Sequence, residues 1–440
     1  MGGEIGSVRR MLSLPASPSS AGVARTVTDE LLTAHRRRDL VESARLLVSE
    51  LVTNSVMHAG TPLDVELDLS PEGLWVQVSD GSPHLPTPRQ YDAAARTGRG
   101  LGLVRELATA WGAEATTEGK AVWFRLGGSH GSADPASANG PSTRSEVGHG
   151  GATVAVRLLN LPLLLCQAWQ QHTEALLREY LMTHLDRPGH TDPIRDPIQL
   201  HAAATEAITV VAEHIPALAS WSSTEDVIQT ATEPGVSLSC VDLDVPVAVV
   251  ARFQTLRALL EAAATEAGTG RSPAPPVQPE LRGLTDWLCG QVHDQANGAA
   301  PTPWSLQELP PPPPSRVLAW NAAAVTHAVS AQVAGDDTGR IVAVSDRAVQ
   351  LLGYHTRSQL VGRRVLVLIP PRYRQAHLAG FTLYLLHERS GPVIRSGVTA
   401  PALRADGGEV SVRITVQPQK VVGGRTVFVA TLTTPDRNES

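Results

Sequence analysis

Three side chains spaced four residues apart, Glu50, Asn54 and His58, are the strongest candidates for chemistry in this 440-residue sequence. Apolar residues recur at helical spacing over residues 39–58, which predicts a helix. The spacing of four places the three polar side chains on one face of it. Asn54 could then ligate Mg²⁺ directly, while Glu50 orients or deprotonates an attacking hydroxyl or water. The alternative is the solvated polar face of an ordinary amphipathic helix.

Two later segments carry groups suited to a nucleotide. Leu74 to Val78 alternates in polarity and predicts a strand, which runs into a turn at Asp80-Gly81. A carboxylate there can accept from the exocyclic amine that separates adenine from guanine, although a turn aspartate more often bonds its own backbone. Three glycines then precede a predicted helix that begins at Leu103, a setting in which backbone N–H groups and the helix dipole favour phosphate.

Together these segments resemble the GHKL ATPase superfamily, and most closely its anti-sigma-factor serine-kinase branch, over residues 12–127. The resemblance implies an α/β sandwich with helices on one face of a mixed sheet. It implies ATP and Mg²⁺ as cofactors, Glu50 as the general base, Asn54 as the Mg²⁺ ligand and Arg25 as a contact to the protein partner. The residues that it implies for nucleotide binding are Asn54, His58, Asp80, Gly81, Gly98, Arg99, Gly100, Leu101 and Gly102.

One departure from this family lies in the closing strand. The family often has threonine near the base, whereas this chain has Lys120 and Ala121. One contact to adenine therefore lacks its usual residue.

The remainder of the chain divides at two segments of biased composition. Residues 128–151 are rich in Gly, Ser, Ala and Pro and predict a flexible linker. Residues 299–316 contain five consecutive prolines and predict a stiff spacer. Between them, residues 152–298 show helical periodicity and predict a helical bundle. The chain is thus expected to be an α+β multidomain protein.

The last part, residues 317–436, resembles a PAS sensor domain, which implies an antiparallel sheet with flanking helices. Strands are predicted at Val398–Arg404, Val410–Gln417 and Thr426–Thr433. His377 lies where oxygen-sensing PAS domains place a haem ligand, but a structural histidine is the interpretation that we prefer, because a lone histidine implies little. The PAS ligand is otherwise not identified. The motifs that carry the resemblance are Asp337–Ile341, Ala348–Tyr354, Leu360–Arg363, Ile369–Arg374 and Arg404–Gly407.

These features favour an ATP-dependent serine/threonine kinase that acts on a small anti-sigma antagonist or otherwise on a sigma-factor network, with PAS-based sensing. The alternative is a non-catalytic signalling module that binds ATP and sequesters its partner. A sensor histidine kinase is less favoured, because no phosphoacceptor histidine helix precedes the ATPase segment.

Composition bounds the class of protein further. The net charge of −6 argues against nucleic-acid binding. The longest apolar run is too short to span a membrane, and no signal peptide is predicted. Cys166, Cys240 and Cys289 are far apart and make no metal motif. We therefore expect a cytoplasmic protein, and we expect dimerisation or tethering to connect sensor and kinase.

Overall fold

The computed structural model describes residues 7–82, 85, 100–127, 152–185, 197–215, 237–268, 275–306, 320–387, 397–421 and 425–434. The chain forms two compact units. The first falls within Met1–Val154, Leu181–Glu213 and Val245–Leu259. The second falls within Ala155–Tyr180, His214–Asp244 and Leu260–Ser440. Both units therefore draw on the predicted central segment.

The first unit is built on a five-stranded sheet with helices packed against it. The elements of its N-terminal part are β1 (Val8–Leu14), α1 (Ser19–Ala34), α2 (Arg38–His58), β2 (Leu63–Ser70), β3 (Gly73–Asp80), α3 (Gly100–Leu107), β4 (Ala110–Thr116) and β5 (Gly119–Leu126). The strand order is β1-β2-β3-β5-β4. Helices α1 and α2 both pack on the sheet, which agrees with the predicted sandwich.

Every described pairing in this sheet is antiparallel, so the expectation of a mixed sheet is wrong. Two pairs of neighbouring strands are joined by tight turns: β2 to β3 after Ser70, and β4 to β5 after Thr116. Strands joined in this way run in opposite directions, and a parallel pair would need a crossover connection.

The alternation of each strand decides which side chains enter the core. In β2, Leu63, Val65, Leu67 and Leu69 are buried, while the residues between them retain access to solvent. The same period in β3 directs every second side chain towards the helices. Helix α2 closes this layer with an apolar stripe. The buried residues of α2 are Leu40, Ala44, Leu47, Val48, Leu51, Val52, Ser55, Val56 and Met57.

Helix α5 (Pro197–His214) supports the end of α2 within the first unit. His201 Nδ1 lies 2.8 Å from the carbonyl oxygen of Met57, one of the last carbonyls of α2. Gln199 donates to the carbonyl oxygen of Gly60. Gly60 has φ +61°, and a Cβ there would lie 2.6 Å from Ala202 Cβ. The α2 terminus and α5 therefore meet through a position that only glycine fits.

The predicted helical bundle of residues 152–298 also contains two strands, which corrects that expectation. β6 (Thr153–Pro162) and β7 (Ser237–Pro246) form a two-stranded sheet. In β7, buried Val241 and Leu243 alternate with exposed Asp242 and Asp244, a period-2 pattern that is typical of a strand. Each strand ends in proline and leads directly into a helix.

These helices are α4 (Leu163–Leu185) and α6 (Val247–Gly268), and α7 (Pro279–Ala296) follows. Within the described ranges, no helix combines the length and apolar character needed to cross a membrane.

The second unit contains a further five-stranded antiparallel sheet, of order β10-β11-β12-β8-β9. Its sheet and flanking helices agree with the predicted PAS fold. Short 3₁₀ turns cover Arg357–Gln359 and Val365–Leu368. The regular elements are α8 (Ala322–Thr326), β8 (Ala331–Asp336), β9 (Ile341–Val344), α9 (Asp346–Leu351), α10 (Pro371–His387), β10 (Val398–Leu403), β11 (Glu409–Lys420) and β12 (Thr426–Thr433).

A buried ion pair attaches α7 to this PAS-like region. Arg364 Nη2 lies 2.5 Å from Glu280 Oε2, and their side chains are 8% and 2% exposed. Gln278 Nε2 donates to the carbonyl oxygen of Asp337 at 2.9 Å. Removal of either charge would leave the other buried and unpaired, which is costly. Helix α7 is therefore part of the second unit, although it precedes the proline-rich segment.

Gly60→Ala should destabilise the first unit by about 1–3 kcal/mol, because it combines left-handed backbone strain with a clash against Ala202. Urea unfolding followed by circular dichroism measures the change. The double variant Gly60→Ala/Ala202→Gly should recover the steric part. Gly290→Ala, in the middle of α7 with no atom within 4 Å of the added Cβ, is the matched control. It should stabilise by about 0.5–1 kcal/mol. Equal effects of the two alanines would contradict this account.

Candidate functional site

Helix α2 carries the predicted catalytic and metal-binding side chains at the edge of its buried stripe. Glu50 and Asn54 are half-buried, and His58 is exposed. Leu51 and Val52, between the first two, are packed into the core and fix the rotation of the helix. The arrangement leaves the carboxylate and the amide accessible one turn apart, as a general base and a Mg²⁺ ligand require.

Two side-chain contacts join helix α1 to the same region of α2. Arg25 Nη1 donates to Ser49 Oγ at 3.2 Å, and Ser49 directly precedes Glu50. Arg45 Nε lies 3.3 Å from Asp29 Oδ2 in a second contact between the helices. Arg25 is half-buried. Its predicted role in partner binding stays a prediction, and the structure places it beside the Glu50 end of the candidate site.

Asp80 lies at the end of β3 with its side chain fully buried (0% exposed). Its Oδ1 accepts from the backbone N–H of Ser82 at 3.0 Å and from Lys120 Nζ at 2.9 Å. Its Oδ2 is also buried and has no hydrogen-bond partner among the described residues. A buried acceptor left unsatisfied costs about 1–3 kcal/mol, so a ligand N–H placed at Oδ2 would remove that cost.

Lys120 is the residue whose role the sequence interpretation missed. It faces Asp80 directly in the pairing of β3 with β5, and its side chain is only 8% exposed. Val122 and Phe124 follow at the same period and are buried in the core. A lysine in phase with inward-facing apolar residues is the signal that could have indicated a buried ion pair.

The turn that joins β4 to β5 approaches the Asp80 backbone closely. A Cβ at Gly119 would lie 2.0 Å from the carbonyl oxygen of Asp80, so no other residue fits there. On the other side, Thr61 Oγ1 accepts from the backbone N–H of Gly81 at 2.9 Å. The loop after β3 is thereby fixed from two directions.

The glycine segment differs from its prediction. Helix α3 begins at Gly100, so Gly100, Leu101 and Gly102 form its first turn and do not precede it. Val104 is completely buried in the core, and α3 packs against α2. The predicted phosphate-binding residues Gly98 and Arg99 lie outside the described residues. Helix α3 packs against α2, and the N-terminus of a helix is a setting that suits an anion.

The groups brought together in the first unit fit an adenine nucleotide. Val56 and Met57 of α2 share one hydrophobic cluster with Val78 of β3, so the helix with Glu50 and Asn54 packs on the strand that ends at Asp80. The buried, unpartnered Oδ2 of Asp80 is suited to an exocyclic amine. The amide of Asn54 is suited to a hard cation such as Mg²⁺.

A second candidate site is a cavity of about 290 Å³ in the PAS-like region. It is lined by α10 and by strands β8, β10, β11 and β12, and its lining is almost entirely apolar. Its described lining side chains that carry polar atoms are Asp336, Tyr373, His377 and Tyr384. The Asp336 carboxylate is already occupied, because Oδ1 accepts from Thr338 and from the Arg340 backbone.

Aromatic rings form one side of this cavity. The rings of His377 and Phe381 are stacked, with centroids 6.0 Å apart, and Phe381 and Tyr384 both meet Phe428 edge-on. Burial lowers the pKa of His377 to about 4, and the charge of Arg364 acts in the same direction. The imidazole is therefore neutral at pH 7.

His377 does line the cavity, but the cavity does not suit haem. Its volume lies at the lower end of the roughly 300–1,000 Å³ that small-molecule sites span, which is small for a tetrapyrrole. No lysine or arginine is among the described lining residues, so this described lining offers haem propionates no cationic partner. The structure thus favours the structural interpretation of this histidine within an apolar cavity.

Comparison with known proteins finds a family match in the N-terminal part of the first unit. Residues 14–126, about a quarter of the chain, match the family described as histidine kinase-like ATPase domain. The N-terminal part of the chain therefore matches a histidine kinase-like, GHKL-type ATPase domain, a type of domain that implies ATP binding, commonly with Mg²⁺. The match does not distinguish the anti-sigma-kinase branch. No curated protein has a significantly similar sequence.

Similar solved structures are PAS or light-oxygen-voltage domains. The PAS domain of an HTR-like protein from Haloarcula marismortui is 21% identical, over 26% of this chain and 91% of that chain, with a TM-score of 0.19. The PAS domain of the fruit-fly ELK potassium channel is 20% identical, over 24% and 86%, with a TM-score of 0.20. An RNA-binding light-oxygen-voltage receptor is 15% identical, over 54% and 62%, with a TM-score of 0.20.

Acidification should destabilise the second unit through His172 and His377. Burial also lowers the pKa of His172 to about 4, so the unfolded imidazoles bind protons near pH 6.5 and the folded ones only near pH 4. The contribution of the two neutral histidines to the free energy of unfolding is full above pH 6.5 and is lost as the pH falls to 4. Each histidine should cost about 2 kcal/mol between pH 7 and pH 5.

Guanidinium unfolding at pH 7 and pH 5 measures this loss. His377→Leu should remove about half of it, and the double variant with His172→Leu should remove most of it. His293→Leu, which replaces an exposed histidine of α7, is the control. An unchanged loss in the double variant would contradict the assignment.

Proposed function

We propose that this chain is an ATP-dependent serine/threonine protein kinase of the anti-sigma-factor type, which phosphorylates a small anti-sigma antagonist and is regulated through its PAS-like region. The observation that carries the proposal is the buried carboxylate of Asp80. At the end of β3 it offers one oxygen that has no partner among the described residues, and the helix that bears Glu50 and Asn54 packs on this strand. The histidine kinase-like match over residues 14–126 supports the same assignment.

Each of the site residues has a separate role in the proposed reaction. Asp80 would hold the adenine base, and the amide oxygen of Asn54 would hold the Mg²⁺ ion. Glu50 would orient the incoming serine hydroxyl and take its proton, while the serine oxygen forms a bond to the γ-phosphorus of ATP and the bond from this phosphorus to the β–γ bridging oxygen breaks, so that ADP leaves. When bound, Mg²⁺ supplies charge neutralisation at the transferring phosphate. Arg25, beside the Glu50 end of α2, contributes to docking of the antagonist.

The cavity of the second unit supports sensing of a small, uncharged and mainly apolar molecule. Among its described lining residues there is no lysine or arginine, His377 is neutral, and the aromatic rings provide stacking surfaces. A charged ligand would lose its hydration there without recovering it from the protein. Such a ligand regulates the kinase only if it binds two states of the protein differently.

Transfer of ³²P from ATP to an anti-sigma antagonist tests the kinase proposal. Glu50→Gln should lower the transfer rate by roughly 10²- to 10⁴-fold, because it removes the general base. Its affinity for ATP should change by less than about threefold, since Glu50 does not hold the nucleotide. Glu42→Gln, an exposed position on the same helix, is the matched control and should transfer as wild type.

Two outcomes would contradict the catalytic part of this proposal. Equal transfer by wild type and Glu50→Gln would remove Glu50 from the mechanism. ATP binding without transfer to any tested antagonist would favour the alternative, a non-catalytic module that binds its partner in an ATP-dependent manner.

The sensing proposal is tested with N-phenyl-1-naphthylamine, an uncharged apolar fluorophore. Ala400 of β10 lines the cavity, so Ala400→Phe should fill it and reduce probe binding at least tenfold. Thr399→Phe adds the same ring at the neighbouring exposed position and should leave binding unchanged. Equal fluorescence titrations for wild type and both variants would show that the probe does not enter the cavity.

A further inference from the structure

We propose that Lys120 recognises the base directly. In this proposal its buried ammonium group donates a hydrogen bond to ring nitrogen N1 of adenine, while Asp80 Oδ2 accepts from the exocyclic amine. The proposal rests on the proposed ATP binding and makes it specific: Lys120 determines which purine the site accepts.

The position of Lys120 is the first support. Its register partner is Asp80, and its side chain lies on the inward face of β5, in phase with Val122 and Phe124. An ammonium group carries three N–H donors. The described residues offer it one acceptor, Asp80 Oδ1 at 2.9 Å. A side chain that is 8% exposed has little water for the other two donors, so a ligand acceptor would satisfy one of them.

The hydrogen-bond arithmetic at Asp80 is the second support. Oδ1 already accepts from Ser82 N–H and from Lys120 Nζ, and Oδ2 accepts from no described group. The ion pair therefore presents one free acceptor beside a charged group with donors to spare. A ligand must therefore present a donor to Asp80 Oδ2 and an adjacent acceptor to Lys120.

The edge of adenine has the complementary order. Its exocyclic amine donates, and the adjacent N1 accepts, which matches Asp80 Oδ2 and the Lys120 ammonium. Guanine presents two adjacent donors, N1–H and the 2-amine, next to the acceptor O6. Because only one oxygen of Asp80 lacks a partner among the described residues, one guanine donor would stay unpaired on burial, which costs free energy.

A purely structural ion pair is the competing explanation. In that case Lys120 only neutralises Asp80 and joins β3 to β5, and it makes no contact with the base. Both explanations expect that mutation of Lys120 lowers the stability of the fold, because it removes the ion pair with Asp80. They differ on one ligand atom, because only direct recognition makes a preference for N1 depend on Lys120.

Competition against a fluorescent ATP analogue bound to the full-length protein tests this difference. The competitors are ATP, 1-deaza-ATP, which has C–H in place of N1, and GTP. Wild type should bind ATP roughly 10- to 100-fold more tightly than 1-deaza-ATP, the range expected for a hydrogen bond from a charged donor. GTP should compete at least as poorly as 1-deaza-ATP.

Lys120→Met removes the donors and keeps the length of the side chain. It should bind ATP more weakly and reduce the preference for ATP over 1-deaza-ATP to within about threefold. Lys120→Gln keeps a neutral donor and should retain an intermediate preference, which provides a second variant if methionine prevents folding. Arg125→Met changes an exposed cation on the same strand and should keep the wild-type preference.

Each outcome has one meaning. An equal preference in wild type, Lys120→Met and Lys120→Gln would overturn direct recognition and leave a structural ion pair. A wild-type preference below about threefold would overturn it as well. If the fluorescent analogue does not bind to wild type at all, the failure lies with the proposed ATP binding and not with the role of Lys120.

Discussion

The burial of one carboxylate governs the organisation of the first unit. Strand β3 directs Val76 and Val78 into the core, and the next inward position is Asp80. A charge at that position must find donors inside the protein. Lys120, opposite it in register, and the Ser82 backbone provide them for one oxygen only. The same interaction therefore joins β3 to β5 and leaves an acceptor that a ligand can satisfy, so stability and recognition depend on one group.

The ATPase match and the compact unit do not end at the same residue. The match covers residues 14–126, yet α5 bonds to the end of α2 through His201, and Leu181 and Ile198 join the hydrophobic core of the sheet. Residues of the central segment therefore support α2, the helix that carries Asn54. The candidate site of the second unit has a different character. Its cavity is apolar and the imidazole of His377 is neutral, so the cavity suits a ligand without charge.

Local periodicity predicted much of this fold. The helix predicted over residues 39–58 is α2, and the strands predicted for the PAS-like region correspond to β10, β11 and β12 with small changes at their ends. Long-range pairing was not predictable in the same way. The contact between Asp80 and Lys120 depends on the register of two strands whose sequences lie 40 residues apart. The contact of α5 with α2 and the strands β6 and β7 depend on partners distant in sequence, which periodicity does not identify.

The central claim is that the unpaired oxygen of Asp80 receives an adenine nucleotide. Isothermal titration of the full-length protein with ATP and Mg²⁺, for wild type and Asp80→Asn, tests it most directly. The account predicts one ATP per chain for wild type and a loss of at least tenfold in affinity for Asp80→Asn, because an amide can present an N–H to the base amine in place of an acceptor. Absence of binding to wild type, or equal affinity in the two proteins, would contradict it.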